Sequence, residues 1–201
     1  EFKDIIVNIG IRYDFFEPDG KVLADPTDPN IYNPIKTENR FVDANHNGKQ
    51  DDGEDTLRVS DRAKYWYKKA SAKAKFSPRL GISFPITARG IVHFSYGHFY
   101  QMPRFERLYE NPDFKIGLGT GNQGVVGNAD LLPEQTINAE LGIQQQLTDD
   151  ISLDVTTYIR DIRGLTGTQG EEIIVFGGAS KYSRFTNSDF GFVKGIVLTA
   201  T

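Results

Sequence analysis

The chain has 201 residues, 38% hydrophobic and 25% charged, with a net charge of -4 and a pI near 5.4. Disorder is excluded by that composition, and the acidic balance, without any basic run interleaved by aromatics, excludes a nucleic-acid partner. Cysteine is absent, which removes disulfides, thiolate metal sites and a cysteine nucleophile together. No apolar run approaches the roughly 18 residues of a membrane-spanning helix, and the N-terminal "EFKDIIVNIG" lacks the charged-then-apolar layout of a signal peptide.

The dominant period along the chain is 2, which gives strands one apolar and one polar face. In the first segment Ile5, Val7, Ile9, Ile11, Tyr13 and Phe15 share a face opposite Asp4, Asn8, Arg12 and Asp14. A long link, residues 17 to 70, follows. Inside it "FVDANHNGKQDDGED" sets Asp43, Asn45, Asn47, Asp51 and Glu54 at loop positions 1, 3, 5, 9 and 12, with Gly48 at 6 and Lys49 at 7. This is the D-x-D/N-x-D/N-G-x5-E calcium loop, in which a hard cation takes side-chain oxygens, the carbonyl at position 7 and a bidentate Glu. The alternative is an Asx-rich surface turn without an ion. "PIKTENRF" and "DTLRVSDRAKYWYKK" on either side are not amphipathic helices, so a helix-opening sensor is not expected. "KYWYKK", residues 64 to 69, groups aromatics and cations suited to anchoring at lipid headgroups or to touching a ligand.

The second segment, 71 to 84, opposes Ala72, Ala74, Phe76, Leu80, Ile82 and Phe84 to Ser71, Lys73, Lys75, Ser77, Arg79 and Ser83. Pro78 interrupts it, marking a bulge or the level at which the strand leaves a bilayer. The third, 91 to 101, opposes Val92, Phe94, Tyr96 and Tyr100 to His93, Ser95 and Gln101. The fourth, 135 to 147, opposes Ile137, Ala139, Leu141, Ile143 and Leu147 to Thr136, Asn138, Glu140, Gln144 and Gln146. In the fifth, 151 to 163, Ile151, Leu153, Val155 and Ile159 oppose Ser152, Asp154, Tyr158 and Arg160. The last, about 182 to 201, is less regular, with Ile196, Leu198 and Ala200 opposite Thr199.

Alternation alone fits a soluble sandwich as well as a membrane barrel. Length decides: soluble strands run about 5 to 6 residues, whereas a tilted bilayer-crossing strand needs about 9 to 11. Connections agree. "PITARG" and "TDD" are short and fall on one edge, while residues 17 to 70, 102 to 133 and roughly 164 to 181 are long and fall on the other. That is the periplasmic and extracellular asymmetry of an outer-membrane barrel. Tyr13, Phe15, Phe16, Phe99 and Tyr100 cluster toward the long-link edge as an aromatic girdle would. The fold class expected is therefore all-β, an antiparallel transmembrane β-barrel. About six strands are too few to close one, since the smallest need about eight, so the chain reads as part of a larger barrel.

Several stretches carry a family resemblance. "SPRLGISFPI", "HFSYGHFYQMPRFERLY", "GNADLLPEQTINAELGIQQQL", "YIRDIRGLTG" and "FTNSDFGFVKGIVLTAT" occur in the order of a TonB-dependent receptor barrel of the Bacteroidetes type. "IIVNIGIRYDFF" resembles a strand further upstream. Val197 stands where the family often has a glutamate, and the loop at 41 to 55 is no family hallmark. The resemblance implies an outer-membrane barrel of about 22 strands, within the known range, filled by an N-terminal plug that this chain lacks. It implies import of a scarce nutrient or oligomer with energy from the TonB, ExbB and ExbD complex, with outer-membrane lipid around the barrel and a surface lipoprotein lid as a further possible partner. The chain would supply wall and extracellular loops.

Catalysis finds little support. His46, His93 and His98 are present without a G-x-S-x-G or H-E-x-x-H motif, and no enzyme is expected. "GLGTGNQGVVGN" lacks the strand-to-helix context of a phosphate loop and reads as a flexible extracellular loop. Glu134 and Glu140, or Arg160, Asp161 and Arg163, line the lumen or loop base, or are simply the solvated polar wall. Alternatives to the importer are a passive porin or secretion and assembly barrel, and a secreted calcium-binding β-sandwich.

Overall fold

The structure, a computed structural model, describes residues 5–114, 116, 121–168 and 172–201. Asp4, residues 117–120 of the glycine-rich stretch and residues 169–171 of the last link lie outside them. In chain order the elements are β1 (Ile6–Phe16), β2 (Lys21–Leu23), α1 (Val59–Arg62), β3 (Tyr67–Lys69), β4 (Lys73–Thr87), β5 (Gly90–Gln101), α2 (Phe105–Tyr109), β6 (Gly121–Val126), β7 (Glu134–Gln146), β8 (Ser152–Gly167), β9 (Glu172–Val175), β10 (Ser180–Arg184) and β11 (Thr186–Ala200).

The long strands form one six-stranded sheet in the order β1-β4-β5-β7-β8-β11, every neighbour antiparallel. Sequential order and short hairpins follow from each strand's returning beside the one before it. The strands run from 11 to 16 residues, the length a tilted bilayer crossing requires. Register carries the alternation across the sheet, because residues directly opposite in a ladder share a face. Ile9 faces Leu80, Leu80 faces Tyr96, Tyr96 faces Ala139, Ala139 faces Ile159 and Ile159 faces Lys194, all on the apolar face. Asn8, Gly81, Ser95, Glu140 and Tyr158 form an adjoining row on the polar face. The apolar face is bare: Ile9 is 81% and Phe190 83% exposed.

Pro78 makes no bulge toward β1, where it sits in register opposite Ile11. The β4–β5 ladder ends at Arg79 opposite Gly97, so the missing donor falls where pairing has stopped. The aromatic cluster divides between faces. Tyr13, Phe15 and Tyr100 lie on the apolar side, whereas Phe16 opposite Lys73 and Phe99 opposite Thr136 lie on the polar one. The segment from 182 to 201 is two strands rather than one. β10 pairs with β6 and β9 in a separate three-stranded sheet, and the chain turns into β11 at Phe185.

The long links fold together into a lobe at one edge of the sheet. Leu23, Ile31 and Trp66 from the first link, Phe114, Ile116 and Val126 from the second, and Ile173, Val175 and Tyr182 from the third make one hydrophobic core. β2 and β3 close the ends of the first link. Of "GLGTGNQGVVGN", residues 121–126 form β6, with Val126 fully buried. "KYWYKK" belongs to this lobe and not to a lipid anchor: Trp66 is only 4% exposed, and Tyr67 stacks on Phe114 with ring centroids 6.0 Å apart.

Candidate functional site

The polar face of the sheet is an organised wall. Glu140 accepts from Asn138 Nδ2 at 2.8 Å, and Arg160 Nε donates to Asn138 Oδ1 at 3.1 Å, with its guanidinium 5.3 Å from the Tyr158 ring centroid. Tyr158 lies flat because its neighbour in the ladder is Gly195, where a Cβ would stand 2.8 Å from the ring. His93 rests over Gly142 in the same way and meets Thr156 Oγ1 at 3.4 Å. The Thr156 hydroxyl donates in turn to Asp154 Oδ1 at 2.8 Å, so His93 belongs to a hydrogen-bonded stretch of the wall.

Toward the lobe the wall becomes cationic. Lys75 Nζ lies 5.6 Å from the Tyr100 ring centroid, and the Arg79 guanidinium 4.7 Å from that of Phe99. Neither has a carboxylate partner among the described residues. Arg79, Phe99, Asn8, Ser95 and Asn138 line an open hollow of about 350 Å³. Arg12 is neutralised by Asp14 at 2.6 Å on the same strand. The residues anticipated at the lumen or loop base separate. Arg160 and Glu140 line the polar face, and Glu134 accepts from Thr166 N at 3.0 Å at the base of the lobe. Asp161 and Arg163 pair at 2.6 Å on the apolar side, in the rows of Ile137 and Gln135.

Buried polar groups tie the lobe to the strands, and periodicity gave no sign of them. Lys73, its side chain 3% exposed, donates to Asp130 Oδ1 at 2.8 Å, and that oxygen also accepts from Ser71 N at 2.7 Å. Burial pushes the Asp130 carboxyl up, but the bonds from Lys73 and Ser71 outweigh it and leave the group below the usual carboxylate range. Asn187 bonds Leu132 through both its donor and its acceptor, and donates to Gly164 O at 2.8 Å. Gly164 turns there with φ +67, a conformation that costs glycine little. Within the lobe, Asp28 accepts from Ile35 N, Lys36 N and Asn39 Nδ2 at 2.8 to 3.0 Å.

The calcium-like stretch forms a hairpin rooted in the lobe. Arg62, 5% exposed, donates to Ile31 O, Asn39 O and Leu57 O, so it holds both feet of the hairpin. Asp43 accepts from Asn47 N at 3.0 Å and Gly48 N at 2.8 Å, and Gly48 has φ +73, the sharp turn expected at that position. Asn45 and Asn47 each donate an amide to Asp51 Oδ2 at 2.7 Å. Glu54 accepts from Ala44 N and Asp51 N, and Lys49 N donates to Asn47 Oδ1. Asn45, Asn47 and Asp51 are thus brought together by their side chains, while Asp43 and Glu54 hold backbone amides of the same hairpin. Among the described residues no three His, Cys, Asp or Glu side chains converge on a metal position. His46, with φ 57, lies in the turn.

An antiparallel sheet of bilayer-length strands, apolar on one face and polar on the other, with short turns at one edge and a folded lobe at the other, is a sector of a transmembrane β-barrel. The model of the family described as "TonB dependent receptor-like, beta-barrel" matches residues 1–201. The chain belongs to that family, whose members are outer-membrane proteins. A single-residue variant of the ferric enterobactin receptor PfeA from Pseudomonas aeruginosa is similar in fold, with 23% identity, a TM-score of 0.51, and coverage of 64% of this chain and 20% of the receptor. The siderophore receptor PirA of the same organism has 20% identity and a TM-score of 0.49 over 62% of this chain and 24% of that one. The hemophore receptor HasR of Serratia marcescens, solved with its hemophore and heme, has 16% identity and a TM-score of 0.47 over 96% and 27%. Comparison with curated proteins gives no match. The chain spans about a fifth of the length of the first two PfeA structures it matches. The secreted β-sandwich reading is overturned, since the long strands form one sheet that belongs to a barrel family.

Proposed function

We propose that this chain is a wall sector and an extracellular lobe of an importer that carries a scarce nutrient or oligomer across the outer membrane with TonB-supplied energy. The observation that carries the reading is the family match over residues 1–201. A polar wall with unpaired cations at its lobe end suits the passage of a polar solute, and a prefolded lobe suits recognition outside the cell. An N-terminal plug, the ExbB and ExbD proteins and a surface lipoprotein lid belong to the same proposal, which assigns no catalysis. The test compares cells with and without the receptor gene in media each limited in one nutrient, with and without a protonophore. Expected is a growth defect in one medium that the protonophore reproduces in wild-type cells. Uptake that depends on the receptor but ignores the protonophore would make it a passive porin instead.

Calcium is part of this reading. The residues that would hold it are Asp43, Asn45, Asn47, Asp51 and Glu54 through side chains and Lys49 through its carbonyl; calcium there would supply charge neutralisation and stiffening. Support comes from the complete spacing, from the Gly48 turn held by Asp43, and from Asn45 and Asn47 gathered on Asp51. With Asn at two ligand positions the affinity expected is that of extracellular modules, about 0.1 to 1 mM. Added at 2 mM to 5 mM, roughly severalfold above that range, calcium should slow proteolysis within residues 40–57 of the wild-type receptor and leave Asp43→Ala/Glu54→Ala unchanged. Equal cleavage of the wild type with calcium and with chelator would remove the site.

A further inference from the structure

On the lipid-facing side polar side chains gather in one patch, apart from Gln145 at the short-turn rim, which donates to Arg89 O and Gln146 O. Between the two the rows are wholly hydrocarbon, as in Val92, Ile143, Val155 and Leu198, or nearly so, as in Phe94, Leu141, Thr157 and Ile196. Thr157 satisfies its hydroxyl on Gly195 O at 3.4 Å. One row higher Lys194 stands between Phe192 and Ile196 on its own strand, in register with Ile159. It has no ion-pair partner among the described residues. Above it lie Asp161 opposite Phe192, and Arg163 opposite Phe190. Arg163 gives both its Nε and its Nη2 to the single oxygen Asp161 Oδ2, at 3.0 and 2.6 Å, which leaves Nη1 without a partner among the described residues. Beside them, Tyr96 OH meets His98 Nε2 at 2.7 Å and Gln135 donates to Tyr100 OH at 2.9 Å.

An unpaired ammonium among lipid-facing phenylalanines is unfavourable unless its stem carries the charge toward the interface. Lys194 lies two rows below Arg163 on the same face, with Asp161 in the row between, and its four-carbon stem is long enough to carry the ammonium toward that polar patch. The unmatched positive charge faces lipid, and the anion that a membrane offers at that depth is a phosphate of its own headgroups. We infer that Lys194 and Arg163, flanked by Phe190 and Phe192, form a binding site for an anionic, phosphate-bearing membrane lipid at the outer rim of the barrel.

The inference rests on the barrel reading, and the test separates the two. The intact receptor is reconstituted in phosphatidylcholine nanodiscs with and without phosphatidylglycerol, and retained lipid is counted by native mass spectrometry. Heat-modifiable electrophoretic mobility reports the barrel itself. Expected is enrichment of phosphatidylglycerol around the wild type, weakened about 30-fold in Lys194→Gln/Arg163→Gln, since each basic group near an anionic surface contributes roughly a factor of 5. Arg79→Gln, over Phe99 on the opposite face, should leave it unchanged. No preference for phosphatidylglycerol, or equal retention by the double variant with an intact barrel, overturns the site. A double variant that alters oligomeric state at unchanged lipid retention would make the patch a protein interface and also overturn it. A wild type that stays soluble without detergent would sink the barrel reading instead.

Discussion

Tyr182→Ala should open all three long links at once while leaving the six-stranded sheet in place. Tyr182 is fully buried in the core shared by the links, and its hydroxyl donates to Pro26 O at 2.6 Å across 156 residues of sequence. Truncating a buried aromatic costs about 3 to 5 kcal/mol through lost contacts and the cavity left behind. The sheet loses nothing directly, because Tyr182 lies in the three-stranded lobe sheet. Hydrogen exchange should accelerate by about two to four orders of magnitude, the equivalent of that free energy, at Leu23, Trp66, Val126 and Val175 together. Amides of β5 and β7 should stay protected. Tyr182→Phe keeps the ring and loses the hydroxyl, so about 1 kcal/mol is expected. Acceleration confined to residues 172–184 would mean that the links do not share one core.

The sheet was legible in the sequence and the lobe was not, for a physical reason. Each long strand meets a nearly uniform environment on each face, so Ile5 to Phe15 or Ile137 to Leu147 declare themselves by alternation alone. The lobe is built from single anchors far apart in sequence. Ile31, Trp66, Ile116 and Tyr182 become a core only when three links meet, and no local period records that. Short strands such as β9 and β10 carry too few alternations to stand apart from a loop or from the last strand. The same limit hid the binding role of Lys73, which alternation marks only as polar. "EIIV" at residues 172–175 and the runs around Trp66 and Val126 were the available signals, since an exposed flexible loop has no use for them. The calcium-like hairpin was the reverse case: its spacing was plain, whereas the Arg62 clamp at its root needed the fold.

Asp130→Asn should loosen the lobe at its junction with β4 more than any other single polar change. The Lys73 side chain is 3% exposed, so its ammonium depends on Asp130 Oδ1 at 2.8 Å, with Ser71 O as its other strong acceptor. Removing one partner of a buried pair costs up to about 3 to 5 kcal/mol. The Asp130 side chain is itself 39% exposed, and water screening at that end brings the cost below that range, to roughly 2 to 3 kcal/mol. Lys73→Met/Asp130→Asn removes the charge along with its partner and should recover most of the loss, the non-additivity measuring the coupling. The pH dependence has a fixed sign. Because the Asp130 carboxyl is held below its ordinary range by Lys73 and Ser71, its contribution is complete above about pH 4, the unfolded carboxyl value, and is lost as pH falls through the folded one. Proteolysis of the junction around residues 128–133 should therefore rise on acidification in the wild type. Asp130→Asn should already be cleaved fast at neutral pH, with that acid limb flattened. An acid limb as steep in Asp130→Asn as in the wild type would assign it to other carboxylates, and an unchanged neutral rate would show that Lys73 finds water or Ser71 sufficient.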